Sequence, residues 1–490
     1  VRAGGRGSPV PGGRNGGQAM KYELVCGLET HVELATKTKI FCSCPNVFGG
    51  EPNTHCCPVC IGLPGTLPTL NRTAVEYAVM AGLATNCKIC PVSKMDRKNY
   101  VYPDLPKAYQ ISQYDMPLCR DGWVGLSDGR KVRLTRIHIE EDAGKLIHQR
   151  GSTLIDYNRG GVPLIEIVSE PDIRSVDEAI EYVEKLQMIM RYLGVSDCRM
   201  EEGSLRCDVN VSVRPQGSET LGTRTEIKNM NSFSHMTKAL QYEMDRQIDL
   251  LESGEPVVQE TRRYDEKTGC TEGMRGKENA HDYRYFREPD LVTIRVTEEM
   301  LAAVRAKMPE DPQKRLARFT AGYGLPEAEA RLLIEHRRIA DYFEAAAKGL
   351  RSPRSVANCI TGPIFARLPD EPAKDAFRVA VPPEGLNALL RLVEAGKLRG
   401  NLAKSTLEKM LDTGKPASAF LSQKDLEGIG AQELKKLCGQ AVRQNPDAAK
   451  DYLGGKEKAL KALVGAVMKA TRGRADPQQA QKLLKELLRQ

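Results

Sequence analysis

In the stretch GLETHVEL (27–34), Glu29, His31 and Glu33 occupy every second position, with Leu28, Thr30, Val32 and Leu34 between and beyond them. Side chains alternate across a strand, so a strand here gathers two carboxylates and an imidazole on one face. A solvated sheet edge would explain one such face, but several recur. In SLRCDVNVSV (204–213), Arg206, Asp208, Asn210 and Ser212 share one face, while Leu205, Cys207, Val209, Val211 and Val213 share the other. Glu166 interrupts the apolar run PLIEIV (163–168), and IHIEED (137–142) adds His138, Glu140, Glu141 and Asp142. A carboxylate inside a buried strand is costly unless it is paired or bound to a cation. Carboxylates mixed with a histidine suit a hard cation such as Mg²⁺, held with waters and substrate phosphates rather than in a protein cage.

The cysteines suggest a different chemistry. In CSCPNVFGGEPNTHCCPVC (42–60), Cys42-x-Cys44 and Cys57-x-x-Cys60 form two close pairs. Two such knuckles can offer four thiolates in a tetrahedron, which is a structural zinc site with no open position for water. His55 and Cys56 are alternative donors, and unrelated buried cysteines are the alternative that this spacing argues against. Cys87-x-x-Cys90 is expected to be a pair of free thiols rather than a second site. Fourteen cysteines without a secretory signal argue for a reducing cytosol rather than disulfides.

Basic residues accompany the acids in MDRKNYVYPDLPKAYQIS (95–112), EIKN (226–229) and HDYRYFREPD (281–290). Carboxylate-held Mg²⁺ with Lys and Arg nearby is the equipment of phosphoryl transfer. No G-x-x-x-x-G-K-[ST] loop occurs, since DTGKPA (412–417) lacks the first Gly and the hydroxyl. Any ATP therefore binds outside that pattern. G-x-S-x-G occurs only as GLSDG (125–129), a Gly- and Asp-punctuated stretch, and H-E-x-x-H and a Ser-Ser-Lys amidase cluster are absent, so no equipment to hydrolyse an amide through a nucleophile is expected here.

The elements that must position these groups change character along the 490 residues. Residues 1–20 are rich in Gly, Arg and Pro, with no apolar core of a signal peptide. They read as a disordered extension, with Met20 as a natural start. Organellar import receives little support, because this Arg-bearing stretch lacks an amphipathic apolar face. Residues 21–296 are strand-rich with isolated helices such as 175–195, the pattern of an α+β domain. From 297 the apolar period becomes 3.6, predicting helices over 327–350, 382–398 and 476–488, the last with Asp476 as N-cap. DTGKPASA (412–419) reads as a linker, dividing a helical domain (297–412) from a basic tail (413–490). No run of about 18 apolar residues predicts a membrane span. The net charge is +8, and residues 401–490 alone carry 17 Lys and Arg against 10 Asp and Glu. Positive charge gathered at one end suggests a polyanion partner, with a merely solvated helical surface as the alternative.

GLETHVEL, DRKNYVYPDLPKAYQIS, IEEDAGK, PLIEIVSEPDIRS, MEEGSLRCDVNVSVRP, EIKNMNSF and DYRYFREPDL together resemble a known family. It is the B subunit of the bacterial aspartyl/glutamyl-tRNA amidotransferase, found also in organelles. The resemblance runs from about residue 22 to 490 and is densest over 22–291. It implies an ATP- and Mg²⁺-dependent enzyme that binds misacylated Glu-tRNA(Gln) or Asp-tRNA(Asn) and phosphorylates the side-chain carboxylate of the attached amino acid. Ammonia released by a separate amidase partner, the glutaminase, then displaces the phosphate, and a small third protein wraps the other two. It further implies His31, Glu141 and Glu166 as Mg²⁺ ligands, with Glu29 and Asp208 in or near the shell. Lys98, Arg206 and Lys228 are candidates for phosphate contact, chosen by their charge and their position in these motifs. Cys42, Cys44, Cys57 and Cys60 would hold structural zinc, and the tail would contact the outer part of the tRNA. A cytoplasmic heterotrimer is the expectation. A non-catalytic tRNA-binding scaffold and a Mg²⁺-dependent nuclease are the rival readings.

Overall fold

The computed structural model describes residues 21–274, 283–398, 400–426, 430–471 and 475–489, so the expected extension 1–20 lies outside the described residues. The chain divides into two compact units, Val1–Pro309 and Glu310–Gln490. The architecture is α+β, with a strand-rich first unit and a helical second one.

The first unit is organised by one nine-stranded sheet. In chain order its strands are β1 (Tyr22–Glu33), β2 (Lys88–Ile89), β3 (Cys119–Gly125), β4 (Lys131–Glu141), β5 (Pro163–Ser169), β6 (Leu205–Pro215), β7 (Thr225–Lys228), β8 (Thr261–Asp265) and β9 (Cys270–Gly273). Across the sheet they run β9-β8-β7-β6-β1-β5-β4-β3-β2. All neighbours are antiparallel except β7 and β8, which are parallel. The first strand among the described residues is thus central, flanked by β5 and β6.

Alternation decides the two faces. Leu24, Cys26, Leu28 and Val32 of β1 are buried with Ile165 and Ile167 of β5 and Ile137 and Ile139 of β4 in one apolar core. Three helices cover that face: α1 (Arg72–Ala84), α2 (Val176–Leu193) and α3 (Phe233–Glu252). The limits of α2 follow from its sequence. Ser175 accepts a hydrogen bond from the Glu178 N–H at 3.2 Å, and Gly194 takes the left-handed conformation at φ +71° that ends the helix. The other sheet face is left to Glu29, His31, Glu166, Asp208 and their neighbours. A separate three-stranded sheet of Phe286–Arg287, Asp96–Asn99 and Tyr109–Ser112 belongs to the same unit.

A fourth helix, α4 (Glu298–Lys307), lies past the change to helical period but packs on α1. Its Val304 is 1% exposed and belongs to the core of the sheet. The compact unit therefore ends after Pro309 rather than at 296, because periodicity reports an element and not what buries it.

In the second unit, the stripe over 327–350 resolves into two helices, Glu327–Ile334 and Arg337–Ala347. His336 breaks it, with extended φ −122° and ψ 126°. Its buried ring lies between Asp375, 2.6 Å from Nδ1, and Glu371, 3.1 Å from Nε2. That pairing outweighs continuing the helix. Nearer the chain end, Leu434, Cys438, Leu460, Leu463, Val467, Ala480 and Leu484 form an apolar core of their own. Asp476 caps the final helix, Pro477–Arg489, accepting from the Gln478 N–H at 2.8 Å. Among the described residues, no helix is long and apolar enough to cross a membrane.

Candidate functional site

Strand register brings together groups that are remote in sequence. His31 of β1 stands opposite Glu166 of β5 on one side and Arg206 of β6 on the other, and Glu166 stands opposite His138 of β4. All point away from the apolar core. The His31 Nε2 lies 3.4 Å from a Glu166 oxygen and 3.5 Å from a Glu140 oxygen. The His138 Nε2 is 3.6 Å from both carboxylates, so two acids and two imidazoles share the centre of the floor. Burial works against charge here but loses to proximity. Burial disfavours the His31 imidazolium, yet the hydrogen bond and charge of Glu166, then Glu140, raise its pKa to about 9. The carboxyl of Glu166 is held below the usual carboxylate range despite burial, by His138, His31 and Lys98.

A second acidic group lies on the same face. One oxygen each of Glu29, Asp208 and Glu226 fall within 4.8 Å of one another. The Lys228 Nζ bonds Asp208 at 2.5 Å and approaches Glu226 at 3.5 Å. Asn210 donates to Glu29 at 3.0 Å. Both groups line one cavity of about 1330 Å³, together with Lys98, Arg136, Arg224 and a wall of tyrosines. Lys98 lies over the Tyr283 ring, 4.8 Å from its centroid. Burial opposes its charge, but the carboxylates of Glu140 and Glu166 hold the ammonium above its usual range.

His31, Glu140 and Glu166 fit a hard cation. Their donor atoms lie within 4.8 Å of one another, the two carboxylates are kept ionised, and the cavity leaves room for water and phosphate oxygens to complete six positions. Glu141 stands apart from this group, which corrects the expected ligand set. Following Glu140 along β4, it points to the opposite face. There it accepts from the Lys107 Nζ at 2.6 Å and the Ile111 N–H at 2.8 Å. Its two oxygens are spent on tying the sheet to the segment 107–111. Glu140 takes its place because it shares alternation with His138, a signal the sequence already carried. Arg206 is also committed elsewhere, 2.8 Å from Asp142 and 3.9 Å from Glu33. Lys98 and Lys228 do line the cavity, as do Glu29 and Asp208. Arg136, Arg224, Glu226 and the tyrosines were not foreseen there. Glu226 was visible as the partner of Lys228 by alternation, whereas the others carried no signal of their own.

The four expected cysteines converge at a separate place. One sulfur each of Cys42, Cys44, Cys57 and Cys60 lie within 4.8 Å of one another, with Cys44 and Cys60 at 4.0 Å. A tetrahedron of thiolates at the usual Zn–S distance has edges of about 3.8 Å, so the set fits zinc with little movement. The hydrogen bond from Cys42, the Cys57 N–H and the charge of Lys39 outweigh burial and bring the Cys60 thiol down to about 4. Lys39 is fully buried, with its Nζ 3.7 Å from the Cys60 sulfur and 3.1 Å from the Tyr157 carbonyl oxygen. Cys56 turns instead to Asn158, at 3.8 Å. Cys87 lies 3.5 Å from the Thr85 hydroxyl, and neither it nor Cys90 joins a metal-sized group among the described residues.

Comparison with known proteins bears on both places. A family model described as GatB/GatE catalytic domain matches residues 24–302, and one described as GatB domain matches 341–488. A protein of Thermoanaerobacter pseudethanolicus, named as the B subunit of aspartyl/glutamyl-tRNA(Asn/Gln) amidotransferase, is 55% identical over 474 residues, covering 96% of this chain and all of that protein. The chain belongs to this family. Proteins of the same name from Carboxydothermus hydrogenoformans and Thermodesulfovibrio yellowstonii are 51% and 49% identical, each over 96% of this chain. It is a family of glutamine-hydrolysing amidotransferase subunits. The acid floor, Lys98, Lys228 and the four cysteines all fall inside the stretch matched as the catalytic domain. The basic end of the chain falls inside the second matched domain.

Proposed function

We propose that this chain activates the side-chain carboxylate of a misacylated Glu-tRNA(Gln) or Asp-tRNA(Asn) with ATP, so that ammonia can convert it to the amide. The observation that carries this reading is the cluster of His31, Glu140 and Glu166 at the floor of a cavity also lined by Lys98 and Lys228. A carboxylate oxygen leaves poorly until it is phosphorylated, and phosphorylating it brings the negative charges of acid and nucleotide together. When bound at the floor, Mg²⁺ supplies neutralisation of the charge on the transferring phosphoryl group.

The chain's own residues do the rest by position and charge. His31, Glu140 and Glu166 hold the cation, with Glu29, Asp208 and Glu226 close to a second oxygen-rich position. Lys98, kept charged by Glu140 and Glu166, meets the phosphates from the wall. Lys228 exchanges its bond to Asp208 for a phosphate oxygen. Arg206 stays with Asp142 and supports the floor indirectly. Zinc at the four cysteines is structural, since a closed set of thiolates leaves nowhere for substrate to bind.

The absence of an amidase motif fits a partner that supplies ammonia, the glutaminase of the complex, with a small third protein making up a heterotrimer. Bacterial relatives and the reduced cysteines support the cytoplasm as the working compartment. The basic tail reaches the outer part of the tRNA. Lys435, Lys436, Lys458, Lys461 and Lys482 all project into solvent, which suits phosphate contact rather than base reading.

The test is a transamidation assay of the complete complex with both misacylated tRNAs, ATP and Mg²⁺. The wild type should form Gln-tRNA(Gln) or Asn-tRNA(Asn). His31→Ala and Glu166→Gln should lose this activity while glutamine hydrolysis continues. Full amidation by both variants would refute the metal floor, and shortened tRNA without ATP would point to a nuclease.

A further inference from the structure

The floor of the cavity is acidic, but its wall is aromatic. Tyr100, Tyr114, Tyr283 and Tyr285 line it, carried by the ends of the separate three-stranded sheet rather than by the main one. The Tyr114 and Tyr285 rings are stacked, 4.3 Å between centroids and 9° from parallel. Tyr283 meets Tyr285 edge-on at 6.1 Å, and Tyr100 meets Tyr283 edge-on at 5.9 Å. The stack is not fully covered, because Tyr114 lines the cavity and remains 49% exposed. Val101 and Tyr102 beside it are 85% and 56% exposed. Flat apolar surface gathered at one wall of a polar cavity is a feature that a ligand normally covers.

Lys98 joins this wall to the floor. Its ammonium lies over the Tyr283 ring and is also attracted by the carboxylates of Glu140 and Glu166 on the floor. A ligand spanning the two would be anionic at one end and flat and aromatic at the other. The cavity, at about 1330 Å³, is larger than the roughly 300–1,000 Å³ typical of a single small-molecule site.

We infer that the stacked pair Tyr114 and Tyr285 is a platform for an adenine ring, which extends the stack at the half-exposed Tyr114 while the attached phosphates lie towards Lys98 and the floor. Stacking suits this ligand because every base offers a π-face and needs no preformed hydrogen-bond pattern. Two sources present the same chemistry: the base of ATP, and the 3′-terminal adenosine of the substrate tRNA. The inference rests on the proposed ATP-dependent activation and names where its nucleotide sits.

The experiment measures the KM for ATP and for Glu-tRNA(Gln) separately, in amidation by the complete complex. The variants are Tyr114→Ala, Tyr285→Ala and the ring-retaining Tyr114→Phe and Tyr285→Phe. Loss of one stacked base contact should raise one KM by about 10- to 100-fold, and the Phe variants should stay within a few-fold of wild type. A raised KM for ATP assigns the platform to the nucleotide, and a raised KM for tRNA assigns it to the terminal adenosine. Unchanged KM values in both Ala variants, or a fall in kcat alone, would overturn the inference. Tyr114→Ala keeps the test decisive should Tyr285→Ala fail to fold, because Tyr114 is half-exposed. A wild-type complex that amidates without ATP would instead remove the activation reading and this inference together.

Discussion

The cysteine knuckle and the acid floor are both clusters shaped for a metal ion, and they differ in access. The knuckle offers four sulfurs and a buried lysine, so its donors are complete within the chain. The floor offers two carboxylates and an imidazole facing a cavity that could hold a nucleotide. A closed set stabilises structure, whereas an open set leaves positions for water and substrate. Substitutions in the two places should therefore separate cleanly, with chemistry lost at the floor and metal retention and fold lost at the knuckle.

The largest effect should come from a single strand step within the floor. Glu140→Gln removes a charge from the proposed cation position and should lower amidation on the order of 10²- to 10³-fold with little change in melting temperature. Its neighbour Glu141→Gln should leave amidation within a few-fold. It should cost about 1–3 kcal/mol in denaturant unfolding, because the largely buried Lys107 ammonium loses its partner. The reverse pattern would restore Glu141 to the ligand set and remove Glu140 from it.

The knuckle should respond differently. Cys60→Ser should lose zinc by elemental analysis and lower the unfolding temperature of the first unit. Lys39→Met tests why an ammonium is buried there. Four thiolates around Zn²⁺ leave a net negative charge in a poorly solvated place, and Lys39 at 3.7 Å from Cys60 offsets it. Removing that charge should weaken zinc retention by about 10- to 100-fold in chelator competition. Retention equal to wild type would show the lysine to be a filler. The smallest effect should lie in the tail. Lys435→Gln with Lys436→Gln should weaken tRNA binding several-fold and lower the slope of log K against log salt by about 2. An unchanged slope would exclude these two from phosphate contact.

Much of this arrangement was legible in the sequence, and what was missed has physical reasons. Period-two alternation found the polar faces of β1 and β6, since one face of each strand is buried under helices and selection of residue type is strict there. The cysteine spacing found the knuckle because its ligands are local. Adjacent acids in IEED defeated the assignment of Glu141, although counting two residues on from His138 leads to Glu140. The tyrosine wall was invisible because its four rings come from two segments, 100–114 and 283–285, that are remote in the chain. The break at His336 was hidden for the same reason, since its partners Asp375 and Glu371 lie on another helix. Charge placement along the tail was readable from composition, but which lysines face solvent was not.

The proposed activation of a carboxylate at the floor can be isolated from the later amidation step. ADP release is followed on adding Glu-tRNA(Gln) to the complex with ATP and Mg²⁺ but no glutamine, for the wild type and for Glu166→Gln. ADP formation that depends on the misacylated tRNA is expected in the wild type, and none above background in the variant, with tRNA binding retained. Equal ADP release from both would contradict the proposed activation.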